Sequence, residues 1–378
     1  MTTKPLLAMF LLVLSICPCW GQSEYTIPLA KEKSSLSVPS LARNGHIMYV
    51  AYRTFNLLHS SSQLRVMAYD LESRKEIRHV TISVPKVRGQ RPAQGLFISP
   101  DGKTLAYAEA YNPKLVLLLS TASLSEIRRS TVLPFTADDY YRQFAGFTND
   151  SLLAFASAGG REAMRFLRLN SQNLSVVSDT RLSGTKWVES FAPAWLPSAE
   201  LVWAVRSLNP DTDEWMQYME KGERTGQKMH HASDVSCYGA VPIGGKGLLV
   251  FYGDMVSKGY VVSYYDHHSS DLKLACLPGP YGISDDHTYA GAICSTTTDL
   301  SEPANNKTLT SDFLLLRTNP LGILWQHKMR DIAVGNVFGP TLVIQKGTPL
   351  IFRSGKRIWI VAPSRKSELK VFMVALRE

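Results

Sequence analysis

Apolar and polar positions alternate along most of this chain with a period of two, in short runs such as "QLRVMAYDLE", "MRFLRLN", "YVVSYYD" and "DFLLLRT". That period places successive side chains on opposite faces and predicts β-strands rather than helices. Polar turns follow several of these runs, as in "ESRKEIRHVTI", "SQNLSVVSDTRL" and "HHSSDLKLACL", so strand, tight turn and strand make hairpins.

The hairpins belong to a larger repeat. "ISPDGKTLAYA" at 98 to 108 is echoed by "FTNDSLLAFA" at 147, "WLPSAELVWA" at 195, "PIGGKGLLVFY" at 242 and "ISDDHTYAGA" at 283. Fainter copies are "LARNGHIMYV" at 41 and "VIQKGTPLIF" at 343. Aligned on the strand after the turn, the copies place Tyr49, Ala106, Ala154, Trp203, Leu249, Ala290 and Ile351 in one column. The mean step is about 50 residues, near the period of a four-stranded propeller blade. Seven copies predict an all-β fold, a seven-bladed β-propeller of four-stranded antiparallel blades. Ahead of the turn, an aromatic followed by small residues recurs as "FAGF", "FAPAW", "CYGAV", "PYGI" and "VFGPT". Small residues permit close backbone approach, so these segments are expected to line the central axis. Either "EYTIPL" at 24 to 29 or "ELKVFMVAL" at 368 to 376 is expected to complete the last blade and cover its edge.

The turn around Ser99 and Asp101 resembles the Ser-Pro-Asp-Gly-Lys hairpin of TolB-like and related WD-type propeller repeats. The resemblance implies the fold and no particular activity, because propellers host many functions. It assigns Asp101 to architecture: Pro100 fixes φ, the carboxylate accepts from nearby backbone N–H groups, and Gly102 takes the left-handed conformation. The same alignment places Asp285, Asp286 and His287 in the equivalent turn of the sixth copy, and His267 and His268 in a hairpin turn of the fifth.

The N-terminus departs from the alternation. Lys4, an apolar run from Leu6 to Ile16 and "CPCWGQ" have the order of a secretory signal peptide, too short to span a membrane as a helix. Residues 1–21 are read as that signal and 22–378 as one propeller domain, in a secreted or periplasmic protein. Bulky Ile16 argues against lipid anchoring at Cys17. The formal charge of +9 becomes +8 without Lys4, with no Lys/Arg run of the kind that binds nucleic acid. Cys237, Cys276 and Cys294 are an odd set for an oxidising compartment, with no metal-ligand spacing.

Hydrolase elbows, zinc-protease helices, phosphate loops and dinucleotide fingerprints are absent, and "NPDTDEW" lacks the Gly and distal Glu of a calcium loop. No cofactor, metal or catalytic residue is assigned. Candidate ligand contacts therefore come from the connections that gather at one mouth of a propeller. These are Arg88, Arg91, Glu109, Tyr111, Asp138, Tyr141, Arg142, Trp187, Glu189, His230, His231, Asp234 and Arg330. A rim of mixed charges with Tyr and Trp suits a protein, peptide or glycan ligand. The alternative is a hydrolase or lyase that sets His230 or His231 against Asp138, Glu189 or Asp234 at the axis.

Overall fold

In the computed structural model, every described element is a β-strand. It describes residues 22–29, 35–36, 39–55, 61–85, 94–109, 115–130, 141–149, 151–158, 164–181, 188–195, 201–209, 212–219, 224–231, 235–243, 247–254, 259–265, 269–274, 277–295, 311–329, 349–363 and 368–376.

β1 (Gln22–Pro28) is the first described strand. The first sheet follows, from β2 (Ser35–Leu36) and β3 (Ser40–Asn44) through β4 (Ile47–Phe55) and β5 (Ser61–Asp70) to β6 (Lys75–Pro85). β2 and β3 pair with opposite ends of β4, as one interrupted inner strand. The second sheet holds β7 (Gln94–Ile98), β8 (Thr104–Glu109), β9 (Leu115–Ser120) and β10 (Glu126–Ser130). The third holds β11 (Tyr141–Asn149), β12 (Leu152–Ala158), β13 (Arg165–Asn170) and β14 (Val176–Arg181). The fourth holds β15 (Val188–Trp195), β16 (Leu201–Asn209), β17 (Thr212–Met219) and β18 (Arg224–His231). β19 (Val235–Ile243), β20 (Gly247–Asp254), β21 (Gly259–Tyr265) and β22 (Ser269–Leu274) make the fifth. β23 (Leu277–Ile283), β24 (Tyr289–Ser295), β25 (Ser311–Arg317) and β26 (Gly322–Met329) make the sixth. The seventh comprises β27 (Leu350–Ser354), β28 (Arg357–Pro363), β29 (Glu368–Ala375) and the N-terminal β1.

All neighbouring strands run antiparallel, and the first strands β3, β7, β11, β15, β19, β23 and β27 lie next to one another in that order. The chain is an all-β propeller, and the described residues form seven sheets. Apolar clusters fill the spaces between sheets. Tyr49, Leu64 and Val66 meet Leu105, Tyr107 and Leu117 between the first two, and Val50 and Tyr52 meet Phe352 and Val361 between the first and last. Strands buried on both faces read as near-continuous apolar runs, as "LVLLLS" does in β9.

Both candidate closing strands contribute. β29 is the third strand of the last sheet and β1 the fourth, registered from Gln22↔Val374 to Pro28↔Glu368. The Tyr25 hydroxyl donates to the Leu71 carbonyl at 3.0 Å, tying the last sheet to the first.

One hydrogen bond recurs in five sheets and fixes the repeat alignment. The residue after the third strand donates its N–H to the carbonyl at the start of the second: Leu71 to His46, Thr121 to Lys103, Ser171 to Ser151, Thr318 to Thr288 and Leu376 to Lys356. Counting three residues on from each carbonyl gives Tyr49, Ala106, Ala154, Gly291 and Trp359. The sequence column is therefore displaced by one residue at Ala290 and by eight at Ile351. The seventh turn is "RSGKR" at 353 to 357, with Gly355 at φ 58°, matching Gly45 at φ 58°. "VIQKGTPLIF" is misleading because its Lys-Gly-Thr imitates a turn, whereas its last residues belong to the inner strand.

The aromatic-small segments at 144, 191, 237 and 280 all fall in first strands; the copy at 337 lies outside the described residues. Their glycines allow close approach. A Cβ on Gly146 (φ +105°) would meet Phe97 at 2.7 Å, and one on Gly282 would meet the Pro349 carbonyl oxygen at 2.0 Å.

Candidate functional site

Strand direction separates the ends of the ring. The tight first-to-second and third-to-fourth turns gather at one end, and the second-to-third loops and inter-sheet connections gather at the other. At the turn end, the Ser99 hydroxyl donates to Asp101 Oδ1 at 2.6 Å, and the Lys103 N–H donates to the same oxygen at 3.0 Å. The sixth sheet repeats this: Ser284 Oγ to Asp286 Oδ1 at 2.6 Å, Thr288 N–H to Asp286 at 3.0 Å. His287, at φ 57°, stands where Gly102 stands at φ 73°. The Ser99 hydroxyl and Lys103 N–H hold the Asp101 carboxyl below its ordinary range. Burial pushes Asp286 the other way, but the Ser284 hydroxyl and Thr288 N–H outweigh it and the net direction is down. These Asp residues are turn caps, as the repeat implies.

The candidate ligand residues that are described, Glu109, Tyr141, Arg142, Glu189, His230 and His231, stand at strand termini of the opposite end. Arg88, Arg91, Tyr111, Asp138, Trp187, Asp234 and Arg330 lie outside the described residues. Tyr141 and Arg142 open β11, registered with Ala158 and Ser157. Glu189 is the second residue of β15, inside a bulge between Val188 and Ser190. β11 and β15 are adjacent inner strands, so these three residues share one sector of the axial mouth.

His230 and His231 require a correction, because they are the last residues of β18 and not part of the connection after it. Their register partners are Glu214 and Asp213. β18 is the outer strand of its sheet, three inter-strand spacings of ~4.8 Å from β15, or about 14 Å from the innermost strand. A polar run can read equally as a loop or as an outer strand, and "RTGQKMHH" is the latter.

Glu109 has an unforeseen environment. Its backbone ends β8 at the mouth side, but the side chain is fully buried with Arg53 and Tyr107. Arg53 Nε and Nη2 both donate to its carboxylate, the latter at 2.5 Å. The Tyr107 hydroxyl donates to Oε1 at 2.6 Å, and Arg53 Nη1 donates to the Pro85 carbonyl at 2.9 Å. Burial pushes the carboxyl up, Arg53 then Tyr107 offset only part of this, and the net direction is up. Tyr107 itself is driven well above its ordinary value by burial and by Glu109. Fully enclosed, Glu109 joins the first two sheets and offers no open face to a ligand. Arg53 was the signal to notice: a lone cation inside the apolar strand "IMYVAYRTF" needs a buried counter-charge. Among the described residues, no group of three His, Cys, Asp or Glu could hold a metal ion. Among the same residues, no helix is long and apolar enough to cross a membrane.

No protein-family model matches the chain, and no curated protein matches it in sequence. Several solved structures are similar to it. The polysaccharide lyase Uly1 is 10% identical, with 90% of each chain covered and a TM-score of 0.52. An acylaminoacyl peptidase from Pyrococcus horikoshii is 13% identical over 91% of this chain and 52% of its own, at a TM-score of 0.49. Sqt1 from Saccharomyces cerevisiae is 9% identical over 93% of this chain and all of its own, also at 0.49. At 10% identity the likeness to Uly1 is one of fold alone.

Proposed function

We propose that the chain is an exported, TolB-like propeller of seven blades that binds a protein, peptide or glycan at the loop-rich mouth of its axis without catalysing a reaction. One observation carries the reading: Tyr141, Arg142 and Glu189 begin adjacent inner strands at the mouth end. Aromatic and Arg side chains on rigid strand ends are the common anchors of binding surfaces. Residues of the flanking connections, including Asp138 and Trp187, would extend that surface around the rim. The N-terminal signal supports export, and the basic chain suits an acidic partner.

The test is a pull-down from the exported fraction with the full chain and a Tyr141→Ala, Arg142→Ala, Trp187→Ala variant. The wild type is expected to retain a discrete partner and the variant to lose at least about 90% of it, from hot-spot losses of ~2 kcal/mol or more. Equal melting temperatures would show that both are folded. Undiminished retention by the folded variant would sink the proposed face.

A further inference from the structure

At the other end of the axis, Arg43, Asp285 and Arg353 occupy one repeat position in three sheets. Each stands two residues before the left-handed residue of its turn, which is Gly45, His287 or Gly355. Arg43 and Arg353 are the next-to-last residues of β3 and β27, and Asp285 stands in the turn two residues beyond β23, so the three side chains start from the turn-side rim of the channel. Arg43 comes from the first sheet, crosses the ring of Phe352 in the seventh at 4.2 Å from its centroid, and pairs with Asp285 in the sixth. Its Nη1 donates to the Gly45 carbonyl at 3.0 Å, which fixes the guanidinium plane.

The exposures of the two partners are unequal. The Arg43 side chain is 20% exposed and that of Asp285 is 73% exposed. The cation is therefore a built, largely enclosed receptor on an aromatic face, while the carboxylate reaches it from solvent. Arg353 lies on the same side of β27 as Ile351, which packs towards the sixth sheet, so a second guanidinium starts on the side where Asp285 stands. Arg353 Nε itself donates to the Gly355 carbonyl of its own turn at 3.0 Å, so the receptor is Arg43, and an aromatic-backed Arg is suited to a carboxylate. A partly exposed ion pair is a weak contact, and a tethered group competes only at an effective concentration of about millimolar.

We propose that the turn-side end of the channel is a carboxylate-binding site anchored on Arg43, and that Asp285 is its built-in occupant, displaced by an external carboxylate. The ligand is a uronic-acid residue of a glycan or the C-terminal carboxylate of a peptide. The site stands at the opposite end from the binding mouth proposed above, and neither depends on the other.

Calorimetric titration of the full chain tests this with three probes: trigalacturonate, triglycine and triglycine amide. Asp285→Ala removes the competitor and is expected to bind at least one carboxylate probe about tenfold or more tighter than wild type. Triglycine amide is expected not to bind. Adding Arg43→Gln to Asp285→Ala should abolish the gain. Should that variant melt early, Arg43→Lys with Asp285→Ala keeps the charge, lacks the planar fork and should still lose most of it. A gain with trigalacturonate alone assigns a glycan, with triglycine alone a peptide terminus, and with both a general carboxylate site. If Asp285→Ala binds no carboxylate probe better than wild type, or the gain survives both Arg43 substitutions, the site does not exist.

Discussion

Glu109 and Arg53 show why a charged residue at a strand end cannot be assigned from its position alone. On a solvated loop the carboxylate would be a ligand contact; between two sheets it is half of an ion pair with no exposed surface. Removing one partner of such a pair leaves a buried charge unmatched, which costs more than the pair itself contributes. Glu109→Gln should therefore lower unfolding stability by about 3 to 5 kcal/mol, read by urea denaturation. Tyr107→Phe should lose only about 1 to 3 kcal/mol, because one hydrogen bond goes and Arg53 stays paired. Equal losses in the two variants would show that Arg53 is not the reason for the enclosed carboxylate.

The elements are held in phase by turns that trade local strain for packing. Arg74, Leu124 and Leu174 all take a left-handed conformation, at φ 57°, 58° and 59°, in successive third-to-fourth turns. For a residue with a Cβ that conformation costs roughly 1 to 2 kcal/mol. Burial offsets it where the side chain is Leu: Leu124 is fully enclosed and Leu174 packs on the cluster between the second and third sheets. The inner strands use the reverse device, a missing side chain. Gly282→Ala would drive its Cβ into the Pro349 carbonyl, so the sixth and seventh sheets must move apart. The expected loss is about 1 to 3 kcal/mol, as for overpacking elsewhere, read as a lowered melting temperature. An unchanged melt would mean that the two inner strands have room to separate. The aromatic-small rhythm of these strands is legible in sequence because a small residue recurring at one phase of a strand marks a recurring close approach of backbones. The fourth-strand assignment of His230 and His231 is not, since an outer strand exposes polar residues just as a loop does.

For the whole molecule, the decisive contact joins residues more than three hundred positions apart. β1 completes the last sheet, Ile27 and Leu29 are buried against the first, and Lys370 pairs with Glu24 at 3.1 Å. Deleting Gln22–Pro28 uncovers β29, including its buried Val371 and Phe372, and leaves a row of unpaired backbone groups. That variant is expected to melt well below the full chain and to elute as oligomers in size-exclusion chromatography. A monomer of unchanged melting temperature would show that closure does not rest on β1.

The sequence by itself determined the class of this protein: period-two alternation fixes strands, and a turn recurring about every 50 residues fixes a ring of like sheets. It also separated turn caps such as Asp101 and Asp286 from chemistry, because hydrogen bonds within five residues depend on local order alone. Only the tertiary structure decided the phase of the seventh copy, the shared closure by β1 and β29, the burial of Glu109 and the reach of Arg43 across Phe352 to Asp285. The phase of the seventh copy rests on which of two turn-like stretches joins β27 to β28, and the other three share one physical reason. Each depends on which sheets become neighbours when the ring shuts, and local alternation records strand faces without recording what will stand against them.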